Sequence, residues 1–329
     1  MKAESQSDLE VKVGRAQELL SKCREEFSRV VVGQEAMFEG LMMGLLAGGH
    51  VLLEGVPGLA KTLAVKTLAG ILDASFKRIQ FTPDLLPADL TGTLVYRQQT
   101  GEFVVRRGPV FSNIVLADEI NRAPAKVQSA LLEAMQERQV TIGDTSYALP
   151  DPFFVLATQN PIEQEGTYPL PEAQLDRFLL KILIGYPSPQ EELEILRRKG
   201  IEEDVKVKQV LFKTDLKRLQ EIAQSVLVDP RIEEYIVSIV AATRQRSKSR
   251  TSYARFIEFG ASPRATIALY RCAKIKALLD GRGFVIPEDV KDVAYPVLRH
   301  RVVLSYEAEA EDMDAERVIE ALLEQVPVP

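Results

Sequence analysis

The sequence predicts a three-layer α/β domain followed by a smaller all-helical domain. Five short apolar runs without polar alternation are typical of strands in a buried parallel sheet. They span residues 50–54, 76–81, 113–117, 153–158 and 179–184. Helical patterns separate these runs, most clearly at residues 61–72 and 124–137. Alternation of strands and helices therefore predicts a five-stranded parallel sheet covered by helices on both faces.

Two helices are expected before the sheet. Apolar side chains recur at positions 9, 13, 16, 20, 23 and 27, in alternating steps of four and three. This spacing places them on one face of a helix. A second helix is expected from residue 34 to about residue 47, followed at once by the first strand.

Two segments interrupt the alternation of strands and helices. Residues 93–107 form an apolar and polar pattern that turns at residues 99–101, which is typical of a β-hairpin. Residues 139–149 predict a second hairpin that turns at residues 143–144. We expect both hairpins to be insertions on the α/β domain and not part of its sheet.

The pattern becomes almost entirely helical after residues 186–189. Pro187 and Pro189 favour a hinge, because proline fixes φ and disfavours helix in the residue before it. The predicted domains are therefore residues 1–187 and residues 188–329. Helices of the second domain are expected at residues 190–199, 214–228, 231–247, 263–279 and 287–300, with a basic run at 244–250 interpreted as a solvated loop.

Composition excludes several classes of protein. The chain has 329 residues, of which 46% are hydrophobic and 27% charged, so it can bury a core and is not of the disordered class. A formal net charge of −6 argues against a general nucleic-acid binder. Cys23 and Cys272 are too few for a disulfide framework. No apolar signal core or membrane span is apparent, and we expect a cytoplasmic protein.

The first predicted strand leads into a loop with the features of a phosphate-binding site. Residues 55–62 read GVPGLAKT and lie directly before a predicted helix. Gly55 and Gly58 allow a sharp turn whose amides face phosphate oxygens. Lys61 would neutralise the β and γ phosphates, and the Thr62 hydroxyl would ligate Mg²⁺. Glycine usually stands where this chain has Ala60, so we expect the backbone at Ala60 to keep φ negative.

A second element supports nucleotide chemistry. The apolar strand at residues 113–117 runs into two adjacent carboxylates, Asp118 and Glu119. Asp118 is placed to hold Mg²⁺ through water, and Glu119 to polarise the attacking water. With the phosphate-binding loop, this pair makes ATP hydrolysis the leading hypothesis. A GTPase is disfavoured, since no Asn-Lys-x-Asp motif follows.

Three further polar residues are candidates for the same nucleotide site, on weaker sequence evidence. Asn160 comes directly after the fourth strand, and strands of a parallel sheet end at the edge where ligands bind. Its amide is therefore expected near Asp118, to position water or contact the γ phosphate. Arg177 precedes the fifth strand, and Arg264 opens a helix of the second domain. Taken alone, each arginine is better explained as a solvated or salt-bridged side chain, as isolated arginines usually are.

The motifs GVPGLAKT, LADEINRAP, ATQNP, LPEAQLDRF and GASPRA, in this order, resemble the AAA+ ATPases and specifically the MoxR family. The resemblance runs from about residue 31 to residue 306. It implies a P-loop AAA+ domain, with Walker A and Walker B motifs, and an all-α lid domain. The hairpin at residues 93–107 resembles the helix-2 insert of this branch, and the second hairpin resembles the one preceding the family's sensor strand.

The resemblance also implies roles for individual residues. Asn160 would be sensor 1, Arg177 an arginine finger reaching a neighbouring subunit's nucleotide, and Arg264 sensor 2, acting in cis or in trans. ATP and Mg²⁺ are the implied cofactors, with Thr62 and Asp118 on the metal. The nucleotide-binding residues would be Val32, Gly33, Pro57, Gly58, Leu59, Ala60, Lys61, Thr62 and Leu63.

At the level of the whole protein, the resemblance implies a chaperone-like ATPase. It would form a homo-oligomeric ring, expected to be a hexamer, and remodel or activate protein complexes. A protein with a von Willebrand factor A domain is the implied partner, and the hairpin around residues 96–103, with Arg106 and Arg107, is a candidate contact surface or a ring-packing surface. The alternative hypothesis is an ATP-gated scaffold in which binding, not hydrolysis, drives assembly. A DNA-translocating relative is disfavoured by the net charge.

Overall fold

The computed structural model describes residues 6–161, 166–199, 206–245 and 253–329. Within them the chain divides into two compact units. The sheet unit comprises Ser21–Phe178 and Ile182–Asp215, and the helical unit comprises Met1–Leu20, Leu179–Lys181 and Leu216–Pro329. The domain boundary between residues 187 and 188 stays a prediction.

The helices and strands follow the expected order with small differences at their ends. The α-helices are α1 Gln6–Val30, α2 Glu35–Ala47, α3 Lys61–Leu72, α4 Pro87–Thr91, α5 Ala125–Glu137, α6 Glu172–Leu175, α7 Pro189–Lys199, α8 Lys213–Ser225, α9 Pro230–Ala242, α10 Pro263–Leu279, α11 Pro287–Leu298, α12 Tyr306–Ala310 and α13 Ala315–Gln325. The strands are β1 Val51–Glu54, β2 Phe76–Gln80, β3 Gly92–Arg97, β4 Glu102–Arg107, β5 Ile114–Asp118, β6 Gln139–Ile142, β7 Thr145–Ala148, β8 Phe154–Gln159, β9 Leu180–Leu183, β10 Ile257–Phe259 and β11 Val303–Leu304.

The central sheet has five strands in the order β2-β5-β8-β1-β9, and its parallel pairing confirms the predicted fold class. β5 and β8 are fully buried except at the last residue of β8, which explains why their sequences lack polar alternation. The register pairs Glu54 with Gln159 and Gln80 with Asp118. The carboxyl ends of β1, β2, β5 and β8 therefore lie along one edge of the sheet, where ligands of open α/β folds bind.

Both predicted hairpins are present as separate antiparallel pairs. β3 pairs with β4 and β6 pairs with β7, outside the central sheet. The aromatic rings of Tyr96 and Phe103 contact each other across the first hairpin, with their centroids 5.2 Å apart. Both side chains are more than half exposed, which leaves an apolar surface on this insertion.

The helical unit contains the predicted helices α9, α10 and α11, whereas the predicted helix α7 lies in the sheet unit, and each unit has elements that the pattern missed. The side chains of Asp229 and Ser262 accept hydrogen bonds from backbone amides at the starts of α9 and α10. The short helices α4, α6 and α12, the amphipathic α13 and the β10–β11 pair were not predicted. The end of the predicted 231–247 helix and most of the basic run 244–250 lie outside the described residues.

Among the described residues, no helix is long and apolar enough to cross a membrane.

Candidate nucleotide site

The loop between β1 and α3 makes its turn with three unusual backbone positions. Gly58 has φ +90°, a conformation that favours glycine. A Cβ on Gly55 would lie 2.9 Å from the carbonyl oxygen of Ile184, so glycine is required there for close approach. Ala60 has φ +55° and ψ +19°. The expectation that Ala60 keeps φ negative is therefore wrong, and alanine adopts the left-handed conformation usually given to glycine.

Lys61 begins α3 directly after this turn. Its Nζ donates a hydrogen bond of 2.6 Å to the carbonyl oxygen of Gly55. Burial lowers the pKa of Lys61, and the negative charges of Asp118, Glu119 and Glu54 oppose this shift. The ammonium group is thus drawn into the loop among carboxylates and near the N-terminus of a helix, a position that favours an anionic ligand.

Asp118 is a buried carboxylate at the end of β5, with 8% of its surface exposed. Its Oδ1 accepts a hydrogen bond of 2.6 Å from the hydroxyl of Thr158 on β8. Its Oδ2 accepts two hydrogen bonds from Arg78 on β2, from Nε at 2.9 Å and from Nη2 at 2.5 Å. Neighbouring strands on both sides therefore hold this carboxylate in one orientation.

Glu119 leaves the sheet with left-handed backbone, at φ +55° and ψ +52°. Its amide donates a hydrogen bond of 2.8 Å to Oγ1 of Thr158. Its Oε2 accepts a hydrogen bond of 2.7 Å from Gln80 and forms an ion pair with Nε of Arg122 at 3.2 Å. Thr158 thus bridges Asp118 and Glu119, and the Glu119 side chain is fixed by two polar groups.

These residues meet around one cavity of about 400 Å³ in the sheet unit. The loop, the two carboxylates and Asn160, which is 6% exposed, all line it. The lining residues are Pro57, Gly58, Leu59, Ala60, Lys61, Thr62, Leu63, Arg78, Asp118, Glu119 and Asn160. The volume is in the range of small-molecule sites.

Comparison with known proteins identifies the family. The profile of the ATPase family associated with various cellular activities (AAA) matches residues 50–180, and an AAA lid domain profile matches residues 250–322. The chain is 53% identical to Chaperone MoxR1 of Mycobacterium tuberculosis over 92% of this chain and 81% of that protein. It is 30% identical to Protein MoxR of Methylorubrum extorquens, over 94% and 95% of the two chains. The chain belongs to the MoxR family of AAA+ ATPases.

A solved structure supports the same fold for this MoxR-family chain. A Cytophaga hutchinsonii protein assigned as an ATPase has a TM-score of 0.90 and 50% sequence identity. The match covers 98% of each chain. The fold class, with a five-stranded AAA+ domain and a lid domain, is therefore confirmed.

Arg177, which the MoxR resemblance assigned as the arginine finger, does not line the cavity. Arg177 follows α6, next to the fully buried Phe178, which anchors its backbone in the core of the sheet unit. Arg264 lies in the first turn of α10 and is exposed. Val32 and Gly33, assigned to the adenine, are also absent from the lining residues. Their roles stay predictions.

Sequence reasoning missed three polar residues of this MoxR site. Arg78 and Gln80 lie two positions apart on β2 and project to the same side of the strand, toward the acidic pair. Thr158, the third, lies inside the apolar run of β8 and is fully buried. These residues could have been found from their positions at or near the carboxyl ends of predicted strands, because ligands of open α/β folds bind at that edge of the sheet.

The donor set fits Mg²⁺ bound together with a phosphate. The hydroxyl of Thr62 and the carboxylate of Asp118 line the same cavity, and both are oxygen ligands. Among the described residues, no group of three or more His, Cys, Asp or Glu side chains could hold a metal ion alone. This agrees with Mg²⁺, which usually takes one or two protein ligands and completes its shell with phosphate oxygens and water.

Proposed function

We propose that this protein binds ATP in the cavity and hydrolyses it. The observation that carries this proposal is the convergence of Lys61 with the adjacent carboxylates Asp118 and Glu119 on one cavity, although the lysine and the carboxylates come from different segments of the chain. A cation, a metal-ligating carboxylate and a second carboxylate are the groups that phosphoanhydride hydrolysis requires. Membership of the AAA+ ATPases supports the same reaction.

The phosphate-binding loop would hold the triphosphate. Its backbone amides precede α3, whose N-terminus favours anions. Lys61, which donates to the carbonyl oxygen of Gly55 within the loop, would donate to phosphate oxygens of the bound nucleotide instead. Mg²⁺ held by Thr62 and Asp118 would neutralise charge on the β and γ phosphates.

Glu119 would act on the attacking water. Its backbone is held by Thr158, and its carboxylate by Gln80 and Arg122, so it has a defined position beside the metal-ligating Asp118. A carboxylate so placed can orient water and accept its proton. Asn160, buried at the next strand end, would contact the water or the γ phosphate.

We further propose a ring, expected to be a hexamer, in which Arg177 of one subunit completes the site of the next. A cation reaching the γ phosphate stabilises the charge of the transition state. The energy would remodel or activate a protein complex in the cytoplasm. A relative named Chaperone MoxR1 supports the chaperone-like role. A partner with a von Willebrand factor A domain and contact through the hairpin of β3 and β4 extend this proposal.

Replacement of Glu119 tests the catalytic proposal. Glu119→Gln keeps the shape of the side chain but cannot take the proton of water, so turnover of ATP should fall by roughly 10²–10⁴. Binding of ATP, measured by the anisotropy of a fluorescent analogue, should stay within about threefold of wild type. Phosphate release measures the turnover.

Glu133→Gln is the matched control, since Glu133 is exposed on α5 and does not line the cavity. It should turn over ATP at the wild-type rate. Wild-type turnover in Glu119→Gln would reject the assigned role of Glu119. Glu119→Gln also distinguishes the ATPase from the alternative ATP-gated scaffold. A scaffold would still remodel a client with ATP bound and unhydrolysed.

A further inference from the structure

Arg78 is a cavity residue that the ATPase proposal leaves without a role. It lies on β2, lines the cavity, and has about half of its side chain exposed. Its guanidinium donates two hydrogen bonds to Oδ2 of Asp118 and a third, of 2.8 Å, to Oε1 of Gln80. The cation is thus held against the carboxylate that is expected to serve Mg²⁺.

Both oxygens of Asp118 are engaged in this arrangement. Thr158 donates to Oδ1 and Arg78 donates twice to Oδ2. Asp118 is buried, and a buried carboxylate without a counter-charge is strongly destabilising. Arg78 therefore supplies, from within the chain, a positive charge in direct contact with this carboxylate, to which the ammonium group of Lys61 adds a further electrostatic attraction.

A divalent cation at Asp118 would lie beside the guanidinium, and the two like-charged groups would repel each other. The guanidinium is about half exposed, so it can move to solvent at low cost once Mg²⁺ supplies the positive charge that Asp118 needs. We propose that Arg78 is the internal counter-ion of Asp118 in the nucleotide-free protein and competes with Mg²⁺ for it, thereby setting the Mg²⁺ concentration at which nucleotide binds tightly. This inference rests on the proposed ATP site.

The test is a Mg²⁺ titration of nucleotide affinity. Binding of a fluorescent ADP analogue is measured by anisotropy in EDTA and at increasing Mg²⁺ for wild type, Arg78→Gln and Arg78→Lys. Arg78→Gln should reach half of the Mg²⁺-dependent gain in affinity at roughly threefold to tenfold lower Mg²⁺. Arg78→Lys keeps the charge but not the paired donors of the guanidinium, so its Mg²⁺ requirement should lie between those of wild type and Arg78→Gln. In EDTA, Arg78→Gln should bind no more tightly than wild type.

Lys77→Gln is the matched control, because Lys77 is exposed on the same strand but does not line the cavity. Its Mg²⁺ dependence should equal that of wild type. An unchanged or higher Mg²⁺ requirement in Arg78→Gln would overturn the competition. Loss of affinity by the same factor with and without Mg²⁺ would also overturn it and indicate a structural role. Absence of nucleotide binding by wild type would instead reject the ATP site itself.

A second measurement needs no ligand. In EDTA without nucleotide, Arg78→Gln should lower the melting temperature, because Asp118 loses the guanidinium charge in direct contact with it. In an Asp118→Asn background the same replacement should have little effect, since no carboxylate charge remains to be compensated. Equal losses in the two backgrounds would show that Arg78 does not act through Asp118.

Discussion

Ala60 and Glu119, two residues of the candidate site, hold left-handed backbone although neither is glycine. Both have φ +55°, and both precede a helical turn, α3 in one case and the 3₁₀ turn Ile120–Arg122 in the other. This conformation costs an L-residue about 1–2 kcal/mol, and such cost is commonly concentrated at functional sites. At Glu119 the hydrogen bond from its amide to Thr158 offsets part of it.

Ala60→Gly should stabilise the protein. Glycine adopts φ +55° without the contact between Cβ and the backbone, although its greater freedom in the unfolded chain removes part of the gain. We expect the free energy of unfolding to rise by about 0.5–1 kcal/mol, measured by urea denaturation without nucleotide.

Ala64→Gly provides the comparison within the same helix. Ala64 lies in the interior of α3 with ordinary helical backbone, so the same replacement should destabilise by about 1 kcal/mol. If both variants are destabilised alike, the left-handed backbone at Ala60 is not a source of strain.

Elements of the sheet unit are joined by one buried imidazole. His50 lies directly before β1 and is buried. Its Nδ1 accepts a hydrogen bond of 3.0 Å from the amide of Val155 on β8, and its Nε2 lies 3.1 Å from the carbonyl oxygen of Met135 on α5. Because Nδ1 accepts, the neutral ring with a proton on Nε2 satisfies both contacts. The hydrogen bonds that connect the start of β1 with β8 and α5 thus depend on the uncharged form of His50.

Lowering the pH should weaken the hydrogen bonds of His50, because they require its neutral ring. Burial, aided by the nearby charge of Arg138, lowers the pKa of His50 to about 4, against about 6.5 in an unfolded chain. The unfolded state therefore takes up a proton first, and stability falls as pH falls from about 6.5 to about 4. Between pH 7.5 and pH 5 we expect this group to reduce the free energy of unfolding by roughly 2 kcal/mol.

His50→Asn isolates the contribution of the imidazole. The asparagine oxygen can accept the hydrogen bond of Val155 near the position of Nδ1, and asparagine does not titrate in this range, although it has no donor at the position of Nε2. Urea denaturation at pH 7.5 and pH 5 should show a smaller loss of stability in the variant than in wild type, by about the same 2 kcal/mol. An equal loss in the two proteins would contradict a depressed pKa at His50.

Elements with a strong local signal were predictable, and contacts between them were not. β5 and β8 were found because burial on both faces leaves uninterrupted apolar runs, and the phosphate-binding loop because glycine and lysine spacing is local. α6 and α12 are too short to show a helical period. The bond from Arg78 to Asp118 depends on β2 pairing with β5, which is fixed by strand order and not by any local pattern. Likewise, the left-handed backbone conformation of Ala60 is imposed by the turn, whereas alanine by itself favours negative φ.

At the scale of the whole molecule, one sheet unit brings together the loop lysine, both carboxylates and Asn160. Arg177 belongs to the same unit but is not among the residues that line the cavity. Phe178, fully buried beside it, fixes the backbone from which the guanidinium extends. This arrangement is consistent with an arginine that serves the cavity of another copy of the chain.

Mixing two inactive variants tests that proposal. Arg177→Ala subunits keep an intact cavity, and Lys61→Ala subunits keep an intact Arg177. If Arg177 acts in trans around a closed ring, an equal mixture should recover about a quarter of the wild-type turnover, since one interface in four pairs an intact cavity with an intact arginine. The recovery is measured as phosphate release at several mixing ratios. Assembly is followed by size-exclusion chromatography.

Asn160→Ala mixed with Lys61→Ala is the matched control. Both residues line the same cavity, so every subunit of that mixture carries a defective cavity and turnover should stay at the level of the separate variants. Recovery that is specific to the Arg177 mixture requires a site shared between subunits. If rings form from both mixtures and neither recovers turnover at any ratio, Arg177 acts within its own subunit or not on the nucleotide at all.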